Sequence, residues 1–430
     1  MKPQWRILLG GISGYIRHIT GFSRPARLVL LSCLLISPGY APFVVLFNLY
    51  LKRLGYGEVF IGDLTAAKAL ATMLTALAMG LLGDRVSRRW LFRIGVAMEG
   101  LGLAACSLLT GRAGLLASTA VAGISFPLWH IAYVPLLTAH SREEERTHLF
   151  SVVAATWLVT GVLGDALAGA LPDFYAALTG AQPEGIPAYR FALLAGAGCY
   201  GLALPFLLFI PQEKRPQEKR QRGEGTGRPT TPSQIVSGQI AAFTAVAALL
   251  AFGEGMILPF LNLFFKERLG AEAGAIGLTF AGARMMAFAA TFLVPVLTQR
   301  WGQVRTVTGL RLILLPCLAG MALAPSFGLA VSFYCAWSTL WNIVIPAVRA
   351  FQMALIPEDQ HVRVTSLAGQ TSGVAQSLAW TVAGALAGRL FLRLGYSTVY
   401  LLTIPFLFTG ALTYHAVFQR YERDGMTTAR

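Results

Sequence analysis

Several ionisable side chains sit inside long apolar runs of this sequence: Lys68, Glu99, His130, Asp165, Glu254, Arg284, Arg311 and Arg349. Charge is costly in an apolar medium, so such groups line a wet cavity or pair with one another. Carboxyl groups take up and release protons, and lysine and arginine hold anions. The chemistry on offer is therefore proton binding and ion recognition. No convergent nucleophile and base appear, which argues against an enzyme. Cys33, Cys106, Cys199, Cys317 and Cys335 each fall in an apolar run without metal-ligand spacing. They read as small buried hydrophobes, so no metal or disulfide is expected. The dipeptide Gly-Lys is absent, which argues against a Walker A nucleotide site. No cofactor is expected.

Glu254 carries the strongest signal. It lies between Gly253 and Gly255, five residues before Pro259. Two glycines and a proline weaken a helix, and the sequence predicts a break there. Pro38, Gly39 and Pro42 predict a matching break beside Tyr40. Broken helices at corresponding positions point to a transporter's central site. Glu254 is the expected proton-coupling acid, and Asp165 is the next candidate. Asp165 and Arg284 fall at similar depths and are expected to pair, with Lys68 as a competitor for Asp165. Glu99 reads as a peripheral packing residue. Arg311 and Arg349 are expected near the ends of their spans, where arginine snorkels.

The elements that position these groups are apolar spans. The chain has 430 residues, of which 55% are hydrophobic and 13% charged. A soluble domain carries about 25% charged residues. Apolar segments recur at roughly 28–51, 60–82, 90–110, 114–138, 149–171, 189–211, 236–264, 275–298, 306–324, 328–356, 366–388 and 396–418. A bilayer-crossing helix needs about 20 residues. The expected fold is an all-α membrane protein of twelve transmembrane helices, arranged as two pseudo-symmetric six-helix bundles. Bundles at 28–211 and 236–418 flank a basic linker at 212–235, between an N-terminal segment, 1–27, and a tail, 419–430. Residues 4–20 could form an interfacial helix.

The formal net charge is +15, yet the basic residues cluster between spans. That pattern is topological and gives no reason to expect nucleic acid. Segments on the side of the termini carry 22 Lys and Arg, and the opposite loops carry eight. Both termini and the linker are therefore expected in the cytoplasm.

The halves repeat one another. Asn48 to Gly55 matches Asn262 to Gly270 with one inserted residue, and Ile61-Gly62 matches Ile276-Gly277. Leu128-Trp129-His130-Ile131 matches Leu340-Trp341-Asn342-Ile343, and Asp165 to Gly169 matches Gly384 to Gly388. The shared order indicates an internal duplication.

Between the second and third spans lies Gly80-Leu-Leu-Gly83-Asp84-Arg85-Val86-Ser87-Arg88-Arg89. This loop resembles the signature of the major facilitator superfamily at Gly80, Asp84, Arg85, Arg88 and Arg89. Ser87 stands where the family usually has glycine. In the second half Gln299 replaces the acid, while Arg300 and Gly302 remain. The resemblance implies two bundles rocking about a site that opens alternately to each side. It implies that Asp84 latches the cytoplasmic gate near Ser366, with Glu144, Glu145 and Arg146 as candidate partners for Arg85 and Arg88. Spans 1, 4, 7 and 10 line the cavity in this family. Tyr40, Asn48, Trp129, His130, Tyr133, Asn262, Trp341 and Asn342 are then the expected cavity residues.

Proton-driven exporters of the family often carry a Gly-Pro signature in span 5. Asp165 stands in the proline's place. The sequence reading is a monomeric secondary transporter in the plasma membrane, or the inner membrane of a Gram-negative cell. It moves a small organic solute, coupled to protons, and aromatic apolar spans favour export. Proton-coupled import of an organic anion or nutrient, a lipid or amphiphile flippase and a non-transporting membrane sensor are the alternatives.

Overall fold

The computed structural model describes residues 22–82, 86–139, 141, 143–211, 234–356, 367–368 and 373–428. The described residues are mostly helical, with no strand among them. The first six helices are α1 (Arg24–Arg53), α2 (Glu58–Leu82), α3 (Arg88–Leu108), α4 (Arg112–Ala139), α5 (Glu143–Thr179) and α6 (Ile186–Leu208). The second half holds α7 (Gln234–Ile257), α8 (Ala273–Thr291), α9 (Val294–Trp301), α10 (Gln303–Leu323), α11 (Phe327–Leu355) and α12 (Val374–Thr428). Gly395 breaks α12 into two crossings by adopting φ 75°. The short α9 completes the eighth crossing, so the twelve spans are accounted for.

Local chemistry sets several boundaries. Ser23 caps α1 by accepting from the Ala26 amide at 3.3 Å, with a proline in the first turn. The repeat-matched Gly55 and Gly270 end their helices with φ of 89° and 67°. Both values suit glycine, which lacks the Cβ that makes this region costly. At the end of α6, the Leu207, Leu208 and Ile210 carbonyls all accept from Arg93, at 2.8–2.9 Å. A cation there satisfies carbonyls that the helix leaves open.

Two expected helix breaks are corrected. Residues Arg24–Arg53 form one continuous helix through Pro38 and Pro42. In the seventh span the helix stays regular through Gly253, Glu254 and Gly255. It tightens to a 3-10 turn only at Leu258–Phe260, and a π turn follows at Phe264–Arg268. Pro259 causes the change one turn beyond Glu254. The two glycines serve packing instead. A Cβ on Gly255 would lie 3.0 Å from Ala383, and one on Gly253 would lie 2.9 Å from Leu407.

The halves meet along two glycine seams related by the repeat. Gly62 of α2 packs against Gly384 and Gly388 of α12, and Gly277 of α8 packs against Asp165 and Gly169 of α5. A Cβ at Gly62 would sit 2.5 Å from the Gly384 carbonyl oxygen, and one at Gly277 would sit 2.5 Å from that of Asp165. The repeated sequence pairs are thus partners in space: each Ile-Gly step docks on the other half's Ala-Leu-Ala-Gly segment. Both seams lie toward the end of the molecule opposite the described chain termini, called here the far end.

Candidate functional site

Ion pairs reinforce the far end. Glu184, in the loop between α5 and α6, accepts from Arg53 at 2.7 Å and also from Lys266 of the other half. Asp63 of α2 pairs with Arg389 of α12 at 2.9 Å. Glu58 takes Lys52 at 2.8 Å and Tyr396 of the second half at 3.1 Å. Exposed pairs are individually worth little, but this group spans the interface as a network. Four of the eight far-loop cations thus form ion pairs beyond their part in topology.

Beneath this seal a cavity of about 540 Å³ lies between the halves. Tyr40 and Lys68 line it from the first half, and Arg284, Trp341 and Asn342 from the second. Lys68 donates to the Tyr40 hydroxyl at 2.6 Å, and its ammonium lies 4.8 Å from the centre of that ring. Arg284 Nε donates to Asp165 Oδ2 across the interface at 2.9 Å. Asp165 is 1% exposed and Arg284 is 42% exposed, so the guanidinium keeps an open edge. Among the described residues lining the cavity, Asp165 is the one acid, against the two cations Lys68 and Arg284.

Asn48 and Asn262 form the ceiling, hydrogen-bonded to each other at 3.0 Å. They line the cavity and also close it.

Glu254 does not line this cavity. It faces a chamber of about 50 Å³ beside it, together with Arg311 and Leu314 of α10. Trp337, Trp341 and Gln376 line both spaces and form the wall between them. Trp341 Nε1 donates to Glu254 Oε1 at 3.0 Å. Arg311 is 7% exposed, with its guanidinium 5.6 Å from the centre of the Tyr414 ring. The expectation that Arg311 snorkels outward is therefore corrected: it is buried beside the chamber.

Three expected cavity residues also move. Trp129, His130 and Tyr133 lie outside the cavity lining. Trp129 is 4% exposed and stacks on Trp157 at 5.7 Å, and His130 stacks on Phe126 at 5.0 Å. Tyr133 joins the same cluster. Phe126, one turn earlier on α4, reaches the cavity instead. Gly95 of α3 admits the Trp129 backbone at close range, which turns Trp129 into the bundle core.

Glu99 is more than peripheral packing. It is fully buried, accepts from Ser125 at 2.5 Å, and leaves Oε1 without a partner among the described residues. Thr72, Ser377 and Trp380 are further cavity residues with no distinguishing sequence signal. Asp84, Arg85 and Ser366 lie outside the described residues. So do the side-chain surroundings of Gly80, Glu144, Glu145 and Arg146. Arg89 reaches toward the Ile210 carbonyl at 3.5 Å, within its own half.

This architecture matches the family pattern. The family model of the Major Facilitator Superfamily matches residues 28–379, and the chain belongs to that family. Solved structures share the fold. A D-xylose-proton symporter aligns with TM-score 0.70 at 14% identity, covering 93% of this chain and 97% of that one. A bacterial homologue of the human lysosomal transporter Spinster, inward-facing and unoccupied, aligns at 0.69 and 16%, covering 92% and 97%. The nucleoside transporter NupG aligns at 0.67 and 14%, covering 92% and 99%. The protein is thus a multi-pass membrane transporter.

Proposed function

We propose that this transporter moves a small organic anion together with a proton by alternating access. The observation that carries the reading is the charge of the cavity wall. Lys68 and Arg284 present two cations against one acid, Asp165, which pairs with Arg284, so the lining carries one net positive charge, at Lys68. The export preference of the sequence rested on apolar aromatic walls. The two cations favour an anionic solute instead. The far-end seams support a state closed at that end. The Lys and Arg distribution supports cytoplasmic termini in a plasma membrane, so the closed end is the outer one.

Glu254 is the coupling acid in this reading. It contacts Trp341, a wall residue of the cavity, and so can report its protonation to the solute. Proton and anion bound together bring no net charge into the membrane, which lowers the cost of the closed state.

Proteoliposomes loaded with a panel of organic anions, cations and neutral sugars test this. Accumulation of an organic anion that requires a pH gradient is expected. Equal flux with and without the gradient, or selectivity for cations, contradicts it.

A further inference from the structure

The chamber beside the cavity sets Glu254, Arg311 and Gln376 into an otherwise apolar wall. Arg311 Nη1 is buried and has no acceptor among the described residues. Arg311 forms no ion pair with Glu254, although both line the chamber. The Tyr414 ring favours the cation from one face. A buried guanidinium with unused donors is costly. Gln376 Oε1, also at this wall, is likewise buried without a partner among the described residues.

We propose that this chamber is a second anion site, in which Arg311 holds the carboxylate of a monocarboxylic acid. This deepens the anion-transport reading and rests on it. The volume suits the group. About 50 Å³ corresponds to a few water molecules, at roughly 10–15 Å³ each by this measure. A carboxylate displaces them and meets the planar guanidinium through two parallel hydrogen bonds. Glu254 beside it sets the charge limit. A nearby acid repels a phosphate dianion more than a monoanion, and when protonated it can donate to the carboxylate. Trp337, Trp341 and Gln376 are the one layer of side chains between the two spaces. In this proposal they part to admit the carboxylate to the chamber while the solute's apolar body stays in the main cavity.

The test uses the purified full-length protein in detergent. Thermal melting is followed against acetate and cyclohexanecarboxylate, with acetamide and cyclohexylamine as uncharged and cationic controls. Both carboxylates should raise the melting temperature saturably, and the controls should not. Arg311→Gln should weaken the carboxylate response about tenfold or more. Ala251→Leu, which fills the chamber wall and leaves Arg311 intact, should do the same and decides the matter if Arg311→Gln does not fold. Wild-type affinity in both variants overturns the proposal. So does loss of binding in Lys68→Gln with Arg311→Gln unaffected, which places the anion in the main cavity. Carboxylate uptake by wild-type proteoliposomes separates the two readings. Uptake with an unaffected Arg311→Gln removes the chamber site alone. No uptake of any carboxylate removes the anion reading.

Discussion

Asn48 and Asn262, equivalent residues of the two halves, hydrogen-bond to each other at 3.0 Å. Each also reaches the other helix's backbone: Asn48 donates to Pro259 at 2.6 Å, and Asn262 to Val45 at 3.0 Å. The broken seventh helix makes this possible. In a regular helix the Leu263 amide would take the Pro259 carbonyl. Here it donates to Asn262 Oδ1 at 2.9 Å, and the carbonyl is left for Asn48. The break therefore serves the far-end seal.

Asn262→Ala should loosen that seal. It removes bonds to both halves, each worth about 1 kcal/mol. A loss of about 2 kcal/mol shifts a two-state equilibrium roughly thirtyfold. Distance distributions between spin labels at Arg53 and Arg268 should gain a longer, far-end-open component. An unchanged distribution contradicts the role.

Gly277→Val should disfavour the same closed state by steric means, because its Cβ has no room beside the Asp165 carbonyl. Transport should fall at least tenfold while the protein stays monodisperse. Labelling of a cysteine introduced at Phe47, which lines the cavity without taking part in the asparagine seal, should rise from the far side. Wild-type transport would show that the seam tolerates a side chain.

Asp165→Ala and Arg284→Ala should be strongly non-additive. Removing Arg284 strands the buried Asp165 carboxylate, which is strongly destabilising, whereas Arg284 left alone is 42% exposed and partly solvated. The double variant should be no worse than the poorer single one in stability and transport. Additive losses would mean that the 2.9 Å contact carries no coupling.

The fold was legible because a membrane helix must be long and apolar, and because the duplication repeats short motifs in order. Those motifs turned out to be contact partners: Gly62 with Gly388, Gly277 with Gly169, and Asn48 with Asn262. The site was less legible. Sequence spacing places Trp129 on a cavity-lining helix but not on its cavity face, and the room at Gly95 decides that. The position of Arg311 near the start of its span gives no sign of its burial. Its burial depends on the α7, α11 and α12 residues that share its chamber, which no local pattern reveals. Pro259 stands in the sequence, but the turn it disrupts, Leu258–Phe260, is centred on the proline and leaves Glu254 in regular helix.

The most direct test of the coupling account is gradient-driven transport by Glu254→Gln in proteoliposomes. Glutamine imitates the protonated acid and keeps an acceptor for Trp341 Nε1. With a substrate identified on the wild type, the variant should exchange labelled for unlabelled solute at near wild-type rate. It should fail to accumulate solute when a pH gradient is imposed. Full gradient-driven accumulation by Glu254→Gln would contradict the account and transfer the coupling role to Asp165.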